Sequence, residues 1–165
     1  MDAATEVTPS ADLEAEEETR VKARIHVITL AVDDLDAALV FYRDGLGFPT
    51  EGIVGTEFPG DDRNAGGAVA MFELDGELIL ALYGRENLTK DAGVPPGTPS
   101  SGEFTIGHAV RSREDVDAVL HRAEAAGATL IGHPHDRPWG IYSGFFCDLD
   151  GHLWEVMWNP SLAVD

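Results

Sequence analysis

The hydrophobic and polar positions of the chain predict a strand, a helix and a hairpin in its first half. Residues 24–32 (RIHVITLAV) are apolar and β-branched, which is typical of a strand. Asp34 can cap a helix whose apolar positions recur at helical spacing as far as Tyr42, and Gly45 ends it. Residues 68–83 then predict a hairpin, because two apolar runs flank an Asp-Gly turn.

The second half repeats this order of elements. Residues 104–110 (FTIGHAV) predict a strand, and Ser112 can cap a helix that ends before Gly127. The stretches ATLIG, SGFFCDL and HLWEVMW predict three further strands. We therefore predict an α+β fold built from two tandem βαβββ modules, because an internal repeat of this kind indicates a repeated unit.

The repeat also sets the expected domain boundaries. The first module spans residues 24–83 and the second spans residues 104–160, together forming one domain. Residues 84–103 join them, and the end of this stretch is rich in Pro, Gly and Ser, which predicts a linker. Residues 1–20 hold few large apolar side chains and predict a disordered acidic tail.

Charge and cysteine content narrow the class of protein. The chain has 30 acidic and 11 basic residues and a formal net charge of −19, which argues against binding to nucleic acid or to an anionic membrane. No apolar run is long enough for a membrane span or resembles a signal peptide. Cys147 is the single cysteine, so no internal disulfide can form. These features predict a soluble, cytoplasmic protein.

Four stretches give the chain a resemblance to a known family. They are VITLAVDDLDAALVFYRDGLGF, LILALYGRENL, HAVRSREDVDAVLHRAEAAGATL and WGIYSGFFCDLDGHLWEVMWNP. The chain resembles the vicinal oxygen chelate superfamily, also called the glyoxalase/bleomycin resistance protein/dioxygenase group, over roughly residues 24–160. The resemblance implies paired βαβββ modules whose eight strands form a cleft. It does not settle the reaction, because members include metal-dependent enzymes and metal-free drug-sequestering proteins.

Metal-using members place four ligands in the cleft, on the first and last strand of each module. By strand register these positions are Val27, Ala81, Thr105 and Glu155, of which only the last can bind a metal. One carboxylate is too few for a catalytic transition metal, so we expect no tightly bound cofactor. A one-residue shift in both first strands would instead turn His26 and His108 towards Glu155. That alternative set would suit divalent Fe, Mn, Zn or Ni.

Side chains alternate along a strand, which separates a cleft face from a helix face. The residues predicted to bind the ligand are Thr29, Ala81, Tyr83, Thr105, Gly107, Trp139, Tyr142 and Met157. Apolar walls with few polar groups are typical of a small-molecule site. Glu155 is the candidate catalytic residue, since a carboxylate in an apolar site can transfer protons.

Three functions remain open at this point. The first is binding of a small, largely apolar or aromatic molecule without metal. The second is a metal-dependent dioxygenase, lyase or isomerase that uses His26, His108 and Glu155. The third is a metal-free enzyme with Glu155 as acid or base. The resemblance also leaves a homodimer open, although both modules lie in one chain, so a single chain could complete its own cleft.

Overall fold

The computed structural model describes residues 24–95, 97 and 104–162; the predicted tail at residues 1–20 lies outside them. The strands and helices appear in the predicted order in both modules. The first module contains β1 (Val27–Val32), α1 (Leu35–Val40), β2 (Ile53–Val54), β3 (Val69–Leu74) and β4 (Leu78–Gly84). A connecting helix, α2, spans Arg85–Ala92. The second module contains β5 (Ile106–Val110), α3 (Arg113–Ala125), β6 (Thr129–Asp136), β7 (Tyr142–Cys147) and β8 (Leu153–Trp158).

The strands form two separate sheets with the same topology. Their orders are β1-β4-β3-β2 and β5-β8-β7-β6, so the first and last strand of each module are neighbours. These two strands run parallel, and the other pairs within each sheet are antiparallel. The predicted α+β fold with two βαβββ modules is therefore confirmed.

The helices begin at the caps that the sequence predicts. The side chain of Asp34 accepts a hydrogen bond from the Ala37 amide at 2.9 Å, and Ser112 accepts one from the Asp115 amide at 3.1 Å. Each cap satisfies an amide that the first helical turn leaves without a partner. After α1 the chain continues as one π-helical turn, Phe41–Gly45.

Both sheets pack one face against a shared hydrophobic core, and we call this the core face. The Tyr42 ring lies 5.8 Å from Phe72 on β3 and 5.9 Å from Trp154 on β8. Phe48 likewise lies 6.3 Å from Phe72 and 6.1 Å from Trp154. Because the same two rings contact the core face of both sheets, the opposite faces point away from this core. We call them the outer faces.

The packing of the two sheets bears on the eight-stranded cleft that the resemblance implies. The two sheets share no strand pairing within the described residues, and they are not closed around one cavity. Both outer faces point away from the shared core, and completion of the cleft by a single chain stays a prediction. A cleft of eight strands needs a second surface opposite each outer face.

A buried polar network joins the modules beside the shared core. Asp148, which is 6% exposed, accepts hydrogen bonds from the Tyr42 hydroxyl at 2.6 Å and from His152 Nδ1 at 2.8 Å. The Trp154 indole donates to the Tyr42 oxygen at 3.2 Å. Burial, followed by the Asp148 charge, raises the pKa of Tyr42 well above its usual value, so the phenol stays a neutral donor.

The predicted linker begins as a helix rather than as irregular chain. Within α2, Asp91 accepts hydrogen bonds from the Ala65 amide at 2.7 Å and from the Tyr83 hydroxyl at 2.8 Å. Gly93 ends the helix with a φ of 66°, a conformation that glycine adopts without strain. No helix among the residues placed by the structure is long and apolar enough to cross a membrane.

Candidate functional site

The outer face of the first sheet follows from the pairing of β1 with β4. Val27, Thr29 and Ala31 lie opposite Ile79, Ala81 and Tyr83, so these side chains share one face. Leu30 and Val32 on the alternate positions are buried in the core. The alternation predicted for β1 and β4 is therefore present, and it places Thr29 and Ala81 on the outer face.

The outer face of the second sheet contains the predicted carboxylate. Gly107 lies opposite Glu155 and Ala109 lies opposite Met157. On the other side of β8, Phe145 also lies opposite Glu155. Glu155 is half-buried between these two neighbours, and none of the described residues forms a hydrogen bond or ion pair with it. The carboxylate is therefore available to a bound molecule.

The alternative metal set does not assemble within the chain. His108 lies opposite Val156, which is buried in the core, so its ring is on the face away from Glu155. Burial lowers the pKa of His108. His26 is exposed ahead of β1, and alternation places it on the same side as Ile28, which pairs with the buried Leu80. No three described His, Cys, Asp or Glu residues are close enough to hold a metal, so these residues do not fit the metal centre of the family.

An arginine that the sequence did not single out lies across the outer face of the second sheet. Arg137 donates from Nε to the Ser143 hydroxyl at 3.3 Å, and its Cζ is 5.3 Å from the centre of the Phe145 ring. Ser143 lies opposite Met157, which fixes this pair on the outer face. Cationic and carboxylate groups therefore flank the same aromatic ring, at Arg137 and Glu155.

A cavity of about 450 Å³ lies between the two modules, and its lining includes Phe48, Glu73, Leu78, His108 and Trp154. The lining is mostly apolar, and Phe48 and Trp154 belong to the shared core. The outer face of the second sheet differs because it presents a guanidinium together with a carboxylate, at Arg137 and Glu155.

The family follows from a sequence comparison with family models. The model of the Glyoxalase/Bleomycin resistance protein/Dioxygenase superfamily matches residues 24–156, which is most of the chain. The chain belongs to this superfamily. A search of curated protein sequences found no match.

Solved structures show the same relationship. A glyoxalase-related enzyme from Fulvimarina pelagi is 28% identical, with a TM-score of 0.72, over 87% of this chain and 94% of its own. A lactoylglutathione lyase from Agrobacterium tumefaciens is 25% identical, with a TM-score of 0.61, over 88% of this chain and 100% of its own. A superfamily protein from Nocardioides is 23% identical with a TM-score of 0.66, covers 93% and 98% of the two chains, and supports the fold alone.

Two residues predicted to bind the ligand, Tyr142 and Tyr83, form contacts within the chain. Tyr142 is the first residue of β7, and alternation turns it to the core face. Its ring lies 4.7 Å from the Arg113 guanidinium and its hydroxyl donates to Asp117, both on α3. These contacts hold Tyr142 against α3, and its role in ligand binding stays a prediction. Tyr83 is on the outer face, but its hydroxyl donates to the Gly66 carbonyl and to Asp91.

The remaining predicted residues lie on the strands and loops of the second module. Met157 and Gly107 are neighbours there, since a Cβ added to Gly107 would lie 3.1 Å from the methionine methyl. Thr105 precedes β5 and donates its hydroxyl to the Leu153 carbonyl. Trp139 is 88% exposed at the tip of the β6–β7 loop, with a φ of 62° that bulky residues rarely adopt. Such strained positions are often found at ligand-binding loops.

Proposed function

We propose that this superfamily member binds a small, largely apolar or aromatic molecule on the outer face of its second sheet, without a tightly bound metal. The environment of the Glu155 side chain gives the proposal its strongest support. A carboxylate without a described partner lies among Gly107, Ala109, Phe145 and Met157. Small and apolar neighbours leave room for a ligand, and one acid can orient it.

The same proposal includes a second copy of the chain. Large apolar side chains are exposed on both outer faces, including Val27 at 48%, Met71 at 44% and Ile131 at 50%. Exposed apolar side chains grouped on one face favour an interface. A partner's first sheet packed opposite the second sheet would give the cleft its missing wall. This pairing also fits the resemblance, because superfamily members often combine modules from two chains.

The oligomeric state tests this part of the proposal. We expect a dimer by sedimentation velocity at micromolar concentration, because burying the exposed side chains of both outer faces favours association. Ile131→Lys should shift the protein to monomer, because it places a charge on the apolar outer face of the second sheet. Val40→Lys is the matched control, since Val40 is also 50% exposed but lies on α1. Dissociation by both variants, or by neither, would contradict the proposed interface.

Ligand binding is tested by a screen of small aromatic molecules with backbone NMR shifts as the readout. We expect the largest shifts at Gly107, Phe145, Glu155 and Met157. Glu155→Gln should weaken binding of ligands with a hydroxyl or amine several-fold, since a charged acceptor is lost. Glu124→Gln, an exposed change of the same charge on α3, should not weaken it. Shifts confined to Phe48 and His108 would move the site to the cavity between the modules and refute the proposal.

A metal-free enzyme with Glu155 as acid or base is the second candidate function. It is favoured by the absence of any described partner for this carboxylate, which leaves its oxygens able to exchange a proton with a bound molecule. If it is correct, Glu155→Gln should abolish turnover of a substrate found by screening and retain its binding. Turnover that survives this substitution would exclude the role.

A further inference from the structure

The outer face of the second sheet holds a guanidinium in one orientation. Arg137 Nε donates to Ser143, whose side chain is fully buried, and the guanidinium lies over the Phe145 ring. A cation above an aromatic face is attracted by the ring, and the hydrogen bond fixes the direction of the guanidinium plane. The hydrogen bond at the Nε edge and the Phe145 ring at the guanidinium face therefore hold this side chain in place before a ligand binds.

The other edge of the same guanidinium has no partner. Neither terminal nitrogen of Arg137 forms a hydrogen bond within the described part of the chain, and no described carboxylate lies within ion-pair distance of it. The adjacent Asp136 pairs with Arg113 instead. The terminal nitrogens of Arg137 match the two oxygens of a carboxylate, which they can bind in parallel.

We propose that Arg137 is the carboxylate-binding residue of the site, so that the ligand is a small aromatic or apolar molecule with a carboxylate group. This inference rests on the proposed function and adds the chemical class of the ligand. The ligand carboxylate binds the terminal nitrogens of Arg137, and its apolar body lies along Phe145 towards Met157. A hydroxyl or amine elsewhere on the ligand donates to Glu155.

The large negative charge of the chain does not prevent this binding. Residues 1–20 alone contribute −6 of the net −19. At physiological ionic strength, interactions between exposed charges weaken over a Debye length of about 8 Å. A carboxylate in contact with a fixed guanidinium therefore interacts mainly with that group.

Benzoate and phenylacetate, each paired with its neutral amide, test the proposal. Dissociation constants are measured by NMR, following the backbone signals of Phe145 and Met157 and the side-chain NεH of Arg137. For the wild-type protein we expect the carboxylates to bind about 10-fold more tightly than the amides, because a bidentate charged pair is replaced by neutral contacts. Arg137→Gln should abolish this preference.

Two further variants keep the result interpretable. Arg137→Lys retains the charge but loses the planar pair of donors, so we expect a preference of only about 2- to 3-fold. Arg43→Gln removes the same charge from a helical surface, where Arg43 pairs only with Asp44, and should keep the full preference. Unfolding curves confirm that each variant is folded.

The outcomes separate this inference from the proposed function. If carboxylates and amides bind the outer face equally, or if Arg137→Gln keeps the preference, the role of Arg137 is refuted and the proposed function stands. If neither class of probe perturbs the outer face, both are refuted.

Discussion

The hydroxyl of Tyr42 should contribute more to stability than an ordinary surface hydroxyl, because it links the two modules. It donates to the buried carboxylate of Asp148 at 2.6 Å and accepts from the Trp154 indole at 3.2 Å. Tyr42→Phe keeps the ring packing and removes only the oxygen. Asp148 then loses one donor, and the Trp154 N–H is left buried without an acceptor.

The expected cost follows from these two losses. A hydrogen bond to a charged group contributes about 1.5–3 kcal/mol, and an unsatisfied buried donor adds to the loss. We therefore expect Tyr42→Phe to lower the free energy of unfolding by about 2–3 kcal/mol. The m-value for urea is about 2 kcal/mol/M, so the urea concentration at the midpoint of unfolding should fall by about 1 M or more.

A matched substitution controls for the general effect of removing a tyrosine hydroxyl. Tyr142→Phe removes an exposed hydrogen bond to Asp117 and should cost about 0.5 kcal/mol or less. Urea unfolding followed by fluorescence and by circular dichroism measures both variants. If Tyr42→Phe costs no more than Tyr142→Phe, the buried network does not hold the modules together.

Two other predictions concern pH and packing. Burial raises the pKa of Asp148, but the hydrogen bonds from His152 and Tyr42 outweigh it, so the net pKa is below the ordinary value. As the pH falls, the unfolded chain therefore binds the Asp148 proton before the folded chain does. The stabilisation from ionised Asp148 is complete above about pH 4 and is lost as the pH falls through the folded-state pKa. The urea midpoint measured from pH 6 to pH 2 should fall less steeply for Asp148→Asn than for the wild type, and equal slopes would contradict the assignment. Gly144→Ala should lower the free energy of unfolding by about 1–3 kcal/mol in the same assay. The added Cβ would lie 2.6 Å from Leu120 Cδ1, where α3 packs on β7. An unchanged urea midpoint would refute this close packing.

The fold and the strand faces could be predicted because they depend on local patterns. Alternation along β1, β4, β5 and β8 separates buried from outer-face residues, and it placed His108 opposite Val156 rather than beside Glu155. Capping by Asp34 and Ser112 is also a local signal. None of these signals depends on how the modules pack, so none revealed that the two sheets share one core.

The remaining features could not be predicted because pairing between distant segments decides them. Tyr142 begins β7, and its position in the register with β8 turns it towards α3. Arg137 follows β6, whose pairing with β7 shifts between Ile131 and His135, so its face could not be read from the sequence. The helix α2 has Leu88 as its single large apolar residue, and contacts such as those of Asp91 hold it in place instead.

Native mass spectrometry of the untagged protein, as purified, is the sharpest test of a metal-free ligand site that a second copy completes. It measures the number of chains, the bound small molecules and the metal in one experiment. We expect an assembly of two chains that holds small organic molecules in its clefts and no stoichiometric transition metal. A monomer, or about one Fe, Mn, Zn or Ni ion per chain, would contradict a metal-free ligand site completed by a second copy.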